Sequence, residues 1–261
     1  MTLVLAYANE DFVTIAVDRR IASVRSGKPV DDNFTKSAVV FNQFLVSFTG
    51  LAQIGPDRHT MEWFVKVAAR NLSGFAMGEI ADEATRVVKH IRAKRCEKML
   101  AFVAVGYDDE GRITYGLISN MHADNGEVLT ECRDDFICRI DHPLQKATIR
   151  RIGQYVPAIA AQDLEERLWA THGEVLPGID TVEQILAGAI EASASKWISD
   201  TALITTLFRD SGRARFDVYQ PNAKRGQIID VASPYVLFRD GSIVVMPNQR
   251  LRRANHTPQR D

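Results

Sequence analysis

The chain has 261 residues, of which 46% are hydrophobic and 25% are charged, a composition typical of a compact globular protein. Lys plus Arg number 32 and Asp plus Glu number 33, so the near-zero net charge argues against bulk binding to nucleic acids or membranes. No apolar run approaches the roughly 18 residues of a membrane span, and residues 1–20 lack the basic start and cleavage site of a signal peptide.

The N-terminal part of the chain predicts two strand pairs separated by a polar arm. Runs rich in Val, Leu, Ile, Thr and aromatic residues predict strands at residues 2–8, 12–17, 38–41 and 44–48. The polar arm spans residues 21–33, and residues 51–53 are expected to open a helical stretch. Asp18 directly follows the second strand, so we expect its carboxylate at a strand end, where a charge can point into a cleft.

The remainder of the chain alternates between helical and strand patterns. Apolar residues at helical spacing predict helices at residues 57–72, 79–95, 156–171 and 181–197. Apolar runs bounded by turn residues predict strands at residues 100–107, 112–119, 128–132, 136–140, 201–208 and 213–219. The order of strands, two helices, strands, two helices and strands favours an α+β fold in which two sheets pack between helix layers.

We expect a single domain over residues 1–225. A C-terminal β extension of the same domain is expected over residues 226–247, with short strands at 227–231, 235–239 and 242–246. Residues 248–261 contain several arginines and few apolar residues, which predicts a flexible tail. The extension either closes the edge of a sheet or docks a neighbouring subunit, and the sequence leaves both interpretations open.

Thr2 is the first candidate for chemistry. Initiator methionine is normally removed when the next residue is small, so the mature chain is expected to begin at Thr2. A free N-terminal threonine carries a nucleophile and a base in one residue, because Oγ1 can attack while the α-amine takes its proton. The ordinary pKa of an α-amine, about 7.7–8.0, suits that second task near neutral pH.

Three further residues give Thr2 a context. Taken singly, Asp18 is an ordinary turn acid, Lys36 a surface lysine and Gly50 a helix-entry glycine. Their joint spacing from Thr2 resembles the proteasome β-subunit and HslV family of N-terminal-nucleophile hydrolases. In that family the threonine is followed by an Asp-Xaa-Arg/Gln motif, an essential lysine and an Ala-Gly motif. The arm before Lys36 is about two residues longer here than is usual in that family.

The resemblance implies a four-layer αββα sandwich and a role for each of these residues. Lys36 would lie beside the Thr2 hydroxyl and lower its effective pKa, while Asp18 would pair with Lys36 and orient it. We therefore expect Lys36 Nζ within hydrogen-bond reach of both Thr2 and Asp18. The Gly50 N–H would face the oxyanion of a tetrahedral intermediate.

Other positions of the family pattern are kept or replaced. Proteasome subunits carry an Arg-Asp-Xaa-Xaa-Ser-Gly segment near the site. Ser199 matches its serine, whereas Lys196 stands in place of its acid. Gln154 stands where the family has a serine that supports the terminal amine, and a glutamine differs from it in reach and geometry. Ala22 would contact the backbone of an extended substrate, and the bulky Phe48 would narrow the first specificity pocket and favour small residues.

The implied function is that of an N-terminal threonine peptidase acting on peptides or unfolded proteins, with no metal or cofactor. Such subunits assemble into rings, often fed by an ATPase unfolder. We expect a homo-oligomer here, since the predicted helix 57–72 carries Met61, Trp63, Phe64 and Val67 around much of its circumference. Two alternatives stay open: a non-proteolytic amidohydrolase or transpeptidase of the same fold, and a catalytically inactive ring subunit.

The cysteines indicate a compartment. Cys96, Cys132 and Cys138 are odd in number and lack the spacing of metal ligands, which favours reduced thiols. Together with the lack of a signal peptide, this pattern predicts a cytoplasmic protein.

Overall fold

The fold is described from a computed structural model, in which the chain is a mixed α+β protein with several sheets. The described residues are 2–23, 26–55, 58–123, 127–143, 147–153, 176–221, 234–245 and, for the backbone alone, 251–252. Within these ranges every helix is too short or too polar to cross a lipid bilayer. The helix predicted at 156–171, the strand predicted at 227–231 and Gln154 lie outside the described residues.

Three α-helices and a short 3-10 turn occur in the described ranges. The helices are α1 (Thr60–Ala68), α2 (Met77–Lys89) and α3 (Ile179–Ala192), and the 3-10 turn is Arg95–Glu97. The strands of the N-terminal part are β1 (Leu3–Asn9), β2 (Phe12–Asp18), β3 (Ile21–Ala22), β4 (Pro29–Asp31), β5 (Ser37–Val40), β6 (Phe44–Gly50), β7 (Gln53–Gly55) and β8 (Arg58–His59). The later strands are β9 (Leu100–Tyr107), β10 (Ile113–Ser119), β11 (Ile137–Asp141), β12 (Ala147–Gly153), β13 (Ala202–Phe208), β14 (Ala214–Tyr219), β15 (Tyr235–Leu237), β16 (Ile243–Val245) and β17 (Leu251–Arg252).

Most of these strands belong to two large sheets. The first has the strand order β12-β1-β2-β13-β14-β17 and is antiparallel except for the pair β14–β17. The second has the order β11-β10-β9-β6-β5-β15-β16 and is antiparallel except for the pair β5–β15. The C-terminal hairpin β15–β16, predicted around Asp240 and Gly241, therefore extends the second sheet. Strand β17 falls in the segment predicted as a flexible tail.

Three apolar clusters explain why the strands lie where they do. One cluster combines residues of the first sheet, such as Val4 and Ile15, with residues of the second, such as Leu45 and Val103. Another joins the second sheet to α1 and α2, and a third joins the first sheet to α3. All residues of β1, β2 and β9 are buried, because both faces of these strands are covered. Strands covered on both faces have the nearly continuous apolar sequence seen here.

Some predicted elements differ from the structure. The expected helical opening at residues 51–53 is wrong, because Gln53–Gly55 forms β7 and pairs with β8. Gly55 precedes a proline in the sequence, and that position disfavours helical backbone. The strand predicted at 128–132 is also wrong, since Val128 is exposed and makes only an isolated bridge to His122.

Helix α1 is shorter than predicted and buries its apolar residues within the chain. Met61, Trp63, Phe64 and Val67 are all buried, and they pack in the cluster between α1, α2 and the second sheet. The second apolar face expected for contact with a neighbouring subunit is therefore occupied by the chain's own core.

A buried carboxylate fixes α3 to the first sheet. Glu183 is 1% exposed and accepts hydrogen bonds from Thr206 Oγ1 at 2.8 Å and from the Tyr219 hydroxyl at 3.0 Å. It also pairs with Arg215, which bridges to Asp180 at 2.8 Å. Buried charges are tolerated when they are paired and hydrogen-bonded in this way.

Glu183→Ala should therefore lower the free energy of unfolding by about 3–5 kcal/mol, because it leaves buried polar partners without an acceptor. Glu183→Gln should cost less, since an amide retains part of the hydrogen bonding. Urea denaturation measures both losses. The exposed Glu79 of α2 is the matched control, and Glu79→Ala should change stability by no more than about 0.5 kcal/mol. A loss at Glu183→Ala as small as that of the control would contradict the assigned network.

Candidate functional site

Three of the predicted site residues converge at one end of the two sheets. Thr2 precedes β1, Asp18 ends β2, and Lys36 immediately precedes β5. Lys36 Nζ donates to Thr2 Oγ1 at 2.8 Å and to Asp18 Oδ2 at 3.1 Å. The antiparallel pairing of β1 with β2 brings Leu3 beside Asp18, and Leu3 N donates to Asp18 Oδ1 at 2.9 Å.

The ionic groups of this cluster are buried and fully engaged. Asp18 is 0% and Lys36 2% exposed, and Thr2 is 3% exposed. Lys36 Nζ makes a third hydrogen bond, to Arg20 O at 2.5 Å. Asp18 Oδ2 also accepts from Arg20 N at 3.0 Å. Since every donor of the ammonium has an acceptor, the amine nitrogen of Lys36 is held in one position beside the Thr2 hydroxyl.

Burial lowers the pKa of the Lys36 ammonium, and the neighbouring Asp18 carboxylate opposes that shift. The positive charge of Arg19 adds to the lowering of the Lys36 pKa. A hydroxyl that accepts a hydrogen bond from an ammonium group in a site of low polarity is more readily deprotonated than a hydroxyl in water. The arrangement therefore favours Thr2 Oγ1 as a nucleophile.

Gly50 lies at the end of β6, opposite Leu100 of β9. Its backbone has a φ of 104°, and a Cβ built there would lie 2.0 Å from Met99 O. A side chain at this position would thus collide with the neighbouring backbone. The glycine predicted from the spacing is required by this close approach as well as by its positive φ.

Thr49 is a site residue that the sequence interpretation missed. Its side chain is 1% exposed, and its hydroxyl lies against the backbone of Thr2. Thr2 N donates to Thr49 Oγ1 at 3.2 Å, and Thr49 Oγ1 donates to Thr2 O at 3.1 Å. The sequence did offer an indication, since Thr49 lies between the predicted site residues Phe48 and Gly50. A polar threonine there replaces the alanine of the family's Ala-Gly motif.

Gly153 closes the other side of Thr2. This residue ends β12 and pairs with Leu3. A Cβ built on Gly153 would lie 1.8 Å from Thr2 O and 3.2 Å from Thr49 Oγ1. The backbone of Thr2 is therefore packed between β12 of its own sheet and β6 of the second sheet.

The remaining predicted residues lie farther from the Thr2 hydroxyl. Ser199 Oγ accepts from Arg19 N at 3.1 Å and donates to Thr201 O at 3.0 Å, so it holds the backbone next to Asp18. Ala22 is partly buried in β3 and pairs with Pro29 of β4.

Phe48 is a core residue of the second sheet. It is 1% exposed, and its ring contacts Phe34 and Phe102 at centroid distances of 6.4 Å and 6.0 Å. It belongs to the cluster that faces α1 and α2. Its neighbour Thr49 points to Thr2, as the alternation of side chains along a strand requires.

Two arginines follow Asp18 and behave differently. Arg20 makes a bidentate pair with Asp32 at 2.6 Å and 3.1 Å and donates to Ser195 O at 2.7 Å. Arg19 is 1% exposed, and its Nε and Nη2 atoms have no hydrogen-bond partner within the described part of the chain. Burial lowers the pKa of the Arg19 guanidinium to about 10, while the carboxylates of Asp31 and Asp32 oppose the shift. Arg19 therefore stays charged near neutral pH.

Comparison of the chain with models of protein families and with curated proteins finds no match. Within the described ranges, no group of three or more His, Cys, Asp or Glu side chains is arranged to hold a metal ion. The geometry of Thr2, Asp18, Lys36 and Thr49 is therefore the feature of this chain that bears on its function.

The lowered pKa of Lys36 makes stability depend on pH. Between that lowered pKa and the ordinary value of 10.5, the unfolded chain binds one more proton at Lys36 than the folded chain does. The free energy of unfolding should therefore rise with pH through this window, and the rise should be missing in Lys36→Met. Urea denaturation at several pH values up to about 10.5 gives the free energy of unfolding of the unaltered chain and of Lys36→Met. Groups that titrate alike in both proteins cancel when one free energy is subtracted from the other, so the difference should rise with pH. If the free energy of unfolding of the unaltered chain minus that of Lys36→Met stays constant or falls with pH, the pKa of Lys36 is not lowered by folding.

Proposed function

We propose that this chain is an N-terminal threonine peptidase of the proteasome-like type, which cleaves peptide bonds through an acyl-enzyme on Thr2. The observation that carries the proposal is the 2.8 Å contact between Lys36 Nζ and Thr2 Oγ1, with Asp18 at 3.1 Å from the same nitrogen. The ammonium of Lys36 holds Thr2 and Asp18 together and lies directly against the hydroxyl of the second residue. It is well suited to activating that hydroxyl.

The packing of the elements supports the same proposal. One apolar cluster lies between the two large sheets, α1 and α2 pack on the outer face of the second sheet, and α3 packs on the outer face of the first. This order of layers is what an αββα sandwich requires. The proposed assignment to the N-terminal-nucleophile fold rests on this order together with the position of Thr2 at the start of a central strand.

The proposed reaction begins with Thr2 as a free N-terminal residue. Thr2 Oγ1 bonds to the substrate carbonyl carbon, its proton passes to the neutral α-amine, and the carbonyl π electrons move to oxygen. The C–N bond then breaks, and the α-ammonium returns its proton to the leaving nitrogen. Water adds to the resulting ester by the same route, which releases the carboxylic acid and restores the hydroxyl.

The other residues would lower the barriers of these steps. The Lys36 ammonium would stabilise the developing negative charge on Oγ1, and Asp18 would keep that ammonium in place. The Gly50 N–H would donate to the oxyanion, a type of contact worth about 2.7–4 kcal/mol in other acyl-transfer enzymes. The buried charge of Arg19 adds positive potential next to Asp18.

Removal of Met1 is a condition of this proposal, because a peptide bond at Thr2 N leaves no basic amine. Intact mass of the purified protein reports this removal directly. A threonine-directed epoxyketone or lactone should then add its own mass to the demethionylated chain. A chain that keeps Met1 and does not react would instead support an inactive ring subunit. A reactive chain that cleaves only small amides would support an amidohydrolase or transpeptidase.

Thr2→Ala should abolish peptide hydrolysis, whereas Thr2→Ser should keep part of it, because serine retains both the hydroxyl and the amine. Lys36→Ala should be nearly as damaging and should act on kcat, since its contact with Oγ1 strengthens in the transition state. The assay is turnover of a fluorogenic peptide panel with small residues before the scissile bond. Loss of Met1 is verified by mass for each variant.

The exposed cysteines supply the control for this assay. Cys96→Ser and Cys138→Ser should leave turnover close to that of the unaltered protein, because the proposal assigns no role to a thiol. If the demethionylated Thr2→Ala protein turns over peptide as fast as the native chain, the threonine mechanism is wrong whatever the fold.

We further propose that the chain works as a homo-oligomeric ring in the cytoplasm, which receives unfolded protein from an ATPase partner. The support for assembly is the resemblance in the Thr2, Asp18, Lys36 and Gly50 pattern. The apolar residues of α1 are used within the chain, so other surfaces would form the contacts.

Light scattering should therefore give a mass that is a multiple of the 29.2 kDa chain. The mass should stay at that multiple as the protein is diluted, until the concentration is low enough for the subunits to dissociate. A single species of 29.2 kDa at every concentration tested would contradict the proposed assembly without bearing on the chemistry of Thr2.

A further inference from the structure

The hydroxyl of Thr49 contacts both backbone polar atoms of Thr2. It accepts a hydrogen bond from Thr2 N at 3.2 Å and donates one to Thr2 O at 3.1 Å. Thr49 belongs to β6 of the second sheet, whereas Thr2 precedes β1 of the first, so the contact crosses between the sheets. Both side chains are buried, at 1% and 3% exposure, and water has little access to compete for these bonds.

The two bonds fix the polarity of the Thr49 hydroxyl. A hydroxyl has one proton to donate and lone pairs to accept with. Because that proton is directed to Thr2 O, the side that faces Thr2 N can only accept. The backbone of Gly153 packs closely against the same carbonyl, since a Cβ built on Gly153 would lie 1.8 Å from Thr2 O.

Removal of Met1 would create a new freedom at this point. An amide N–H has a fixed direction, whereas a free α-amine can rotate about its N–Cα bond. A base that rotates presents its lone pair to Oγ1 only part of the time. An acceptor that holds one N–H removes that rotation.

We propose that Thr49 is the positioning residue for the α-amine of Thr2: its hydroxyl holds one N–H of the amine so that the nitrogen lone pair stays directed at Oγ1. This inference rests on the proposed function and deepens it. It gives Thr49 the support of the amine that the family pattern assigns to a serine, at the position that Gln154 occupies in this sequence.

The charged groups around the amine come from a few elements. Lys36 Nζ donates a hydrogen bond to Oγ1 of Thr2, the residue that carries the amine, and another to Asp18 Oδ2. The Arg19 guanidinium is buried next to Asp18 in sequence and acts on Lys36. Substitution of the uncharged Thr49 leaves these groups in place, so any change in the titration of the amine reports the lost hydrogen bond.

Thr49→Val tests the proposal, because valine keeps the shape of threonine and removes the hydroxyl. Loss of an acceptor that favours the protonated amine should lower the pKa of the α-amine by about one unit. This shift can be measured by NMR titration of the chain labelled with 15N-threonine, without any substrate. In the assay the acidic limb of the pH profile should move to lower pH, and kcat should fall about tenfold with little change in KM.

Two further variants separate positioning from a general loss of structure. Thr49→Ser keeps the hydroxyl and should restore both the amine titration and most of kcat. Thr206→Val is the matched control, since Thr206 is also buried in a strand but bonds to Thr14 and Glu183 on the opposite face of the first sheet. It should lower stability without moving the amine titration or the acidic limb.

The outcomes distinguish this inference from the proposed function. If the native chain loses Met1 and reacts at Thr2, but Thr49→Val leaves the amine titration and kcat unchanged, the role of Thr49 is wrong and the threonine mechanism stands. A fall in kcat that Thr49→Ser does not restore also overturns the role. If the native chain itself shows no reaction at Thr2, the proposed function fails first.

Discussion

The buried ammonium of Lys36 is the interaction on which the arrangement of the site depends. Its nitrogen is held by three oxygens, from Thr2, Asp18 and the Arg20 backbone. A charge taken out of water destabilises a fold by several kcal/mol unless partners of good geometry surround it. The start of β1, the end of β2 and the residue before β5 must therefore stay together, so the group that would activate Thr2 also fixes its position.

The site is built across two sheets. Asp18 belongs to the first and Thr2 adjoins it, while Thr49 belongs to the second and Lys36 adjoins it. The distance between these pairs is set by the close-packed cluster of Val, Ile and Leu side chains between the sheets. Side chains carried on strands with both faces packed are held more rigidly than side chains on loops, which suits chemistry that needs a fixed hydroxyl and a fixed base.

The three cations of the site are paired to different degrees. Lys36 is matched by Asp18 and Arg20 by Asp32, whereas Nε and Nη2 of the buried Arg19 have no hydrogen-bond partner among the residues that the structure describes. A buried, incompletely paired guanidinium is costly for folding. In the proposed mechanism the buried charge of Arg19 is useful, because negative charge develops on Oγ1 and on the carbonyl oxygen during acyl transfer. Stability and catalysis would thus be in conflict at Arg19.

The sequence by itself determined the strands that flank the site and the residues of the cluster around Lys36. Unbroken apolar runs placed β1, β2 and β9 to within a residue or two, and the family resemblance carried by the spacing of Thr2, Asp18 and Lys36 predicted that these residues meet. Only the tertiary structure decided that Thr49 faces Thr2, that Phe48 fills the core below α1, and that Gln53–Gly55 is a strand. The physical reason is that periodicity records which face of a strand is apolar, whereas a contact between sheets depends on packing between residues far apart in the chain.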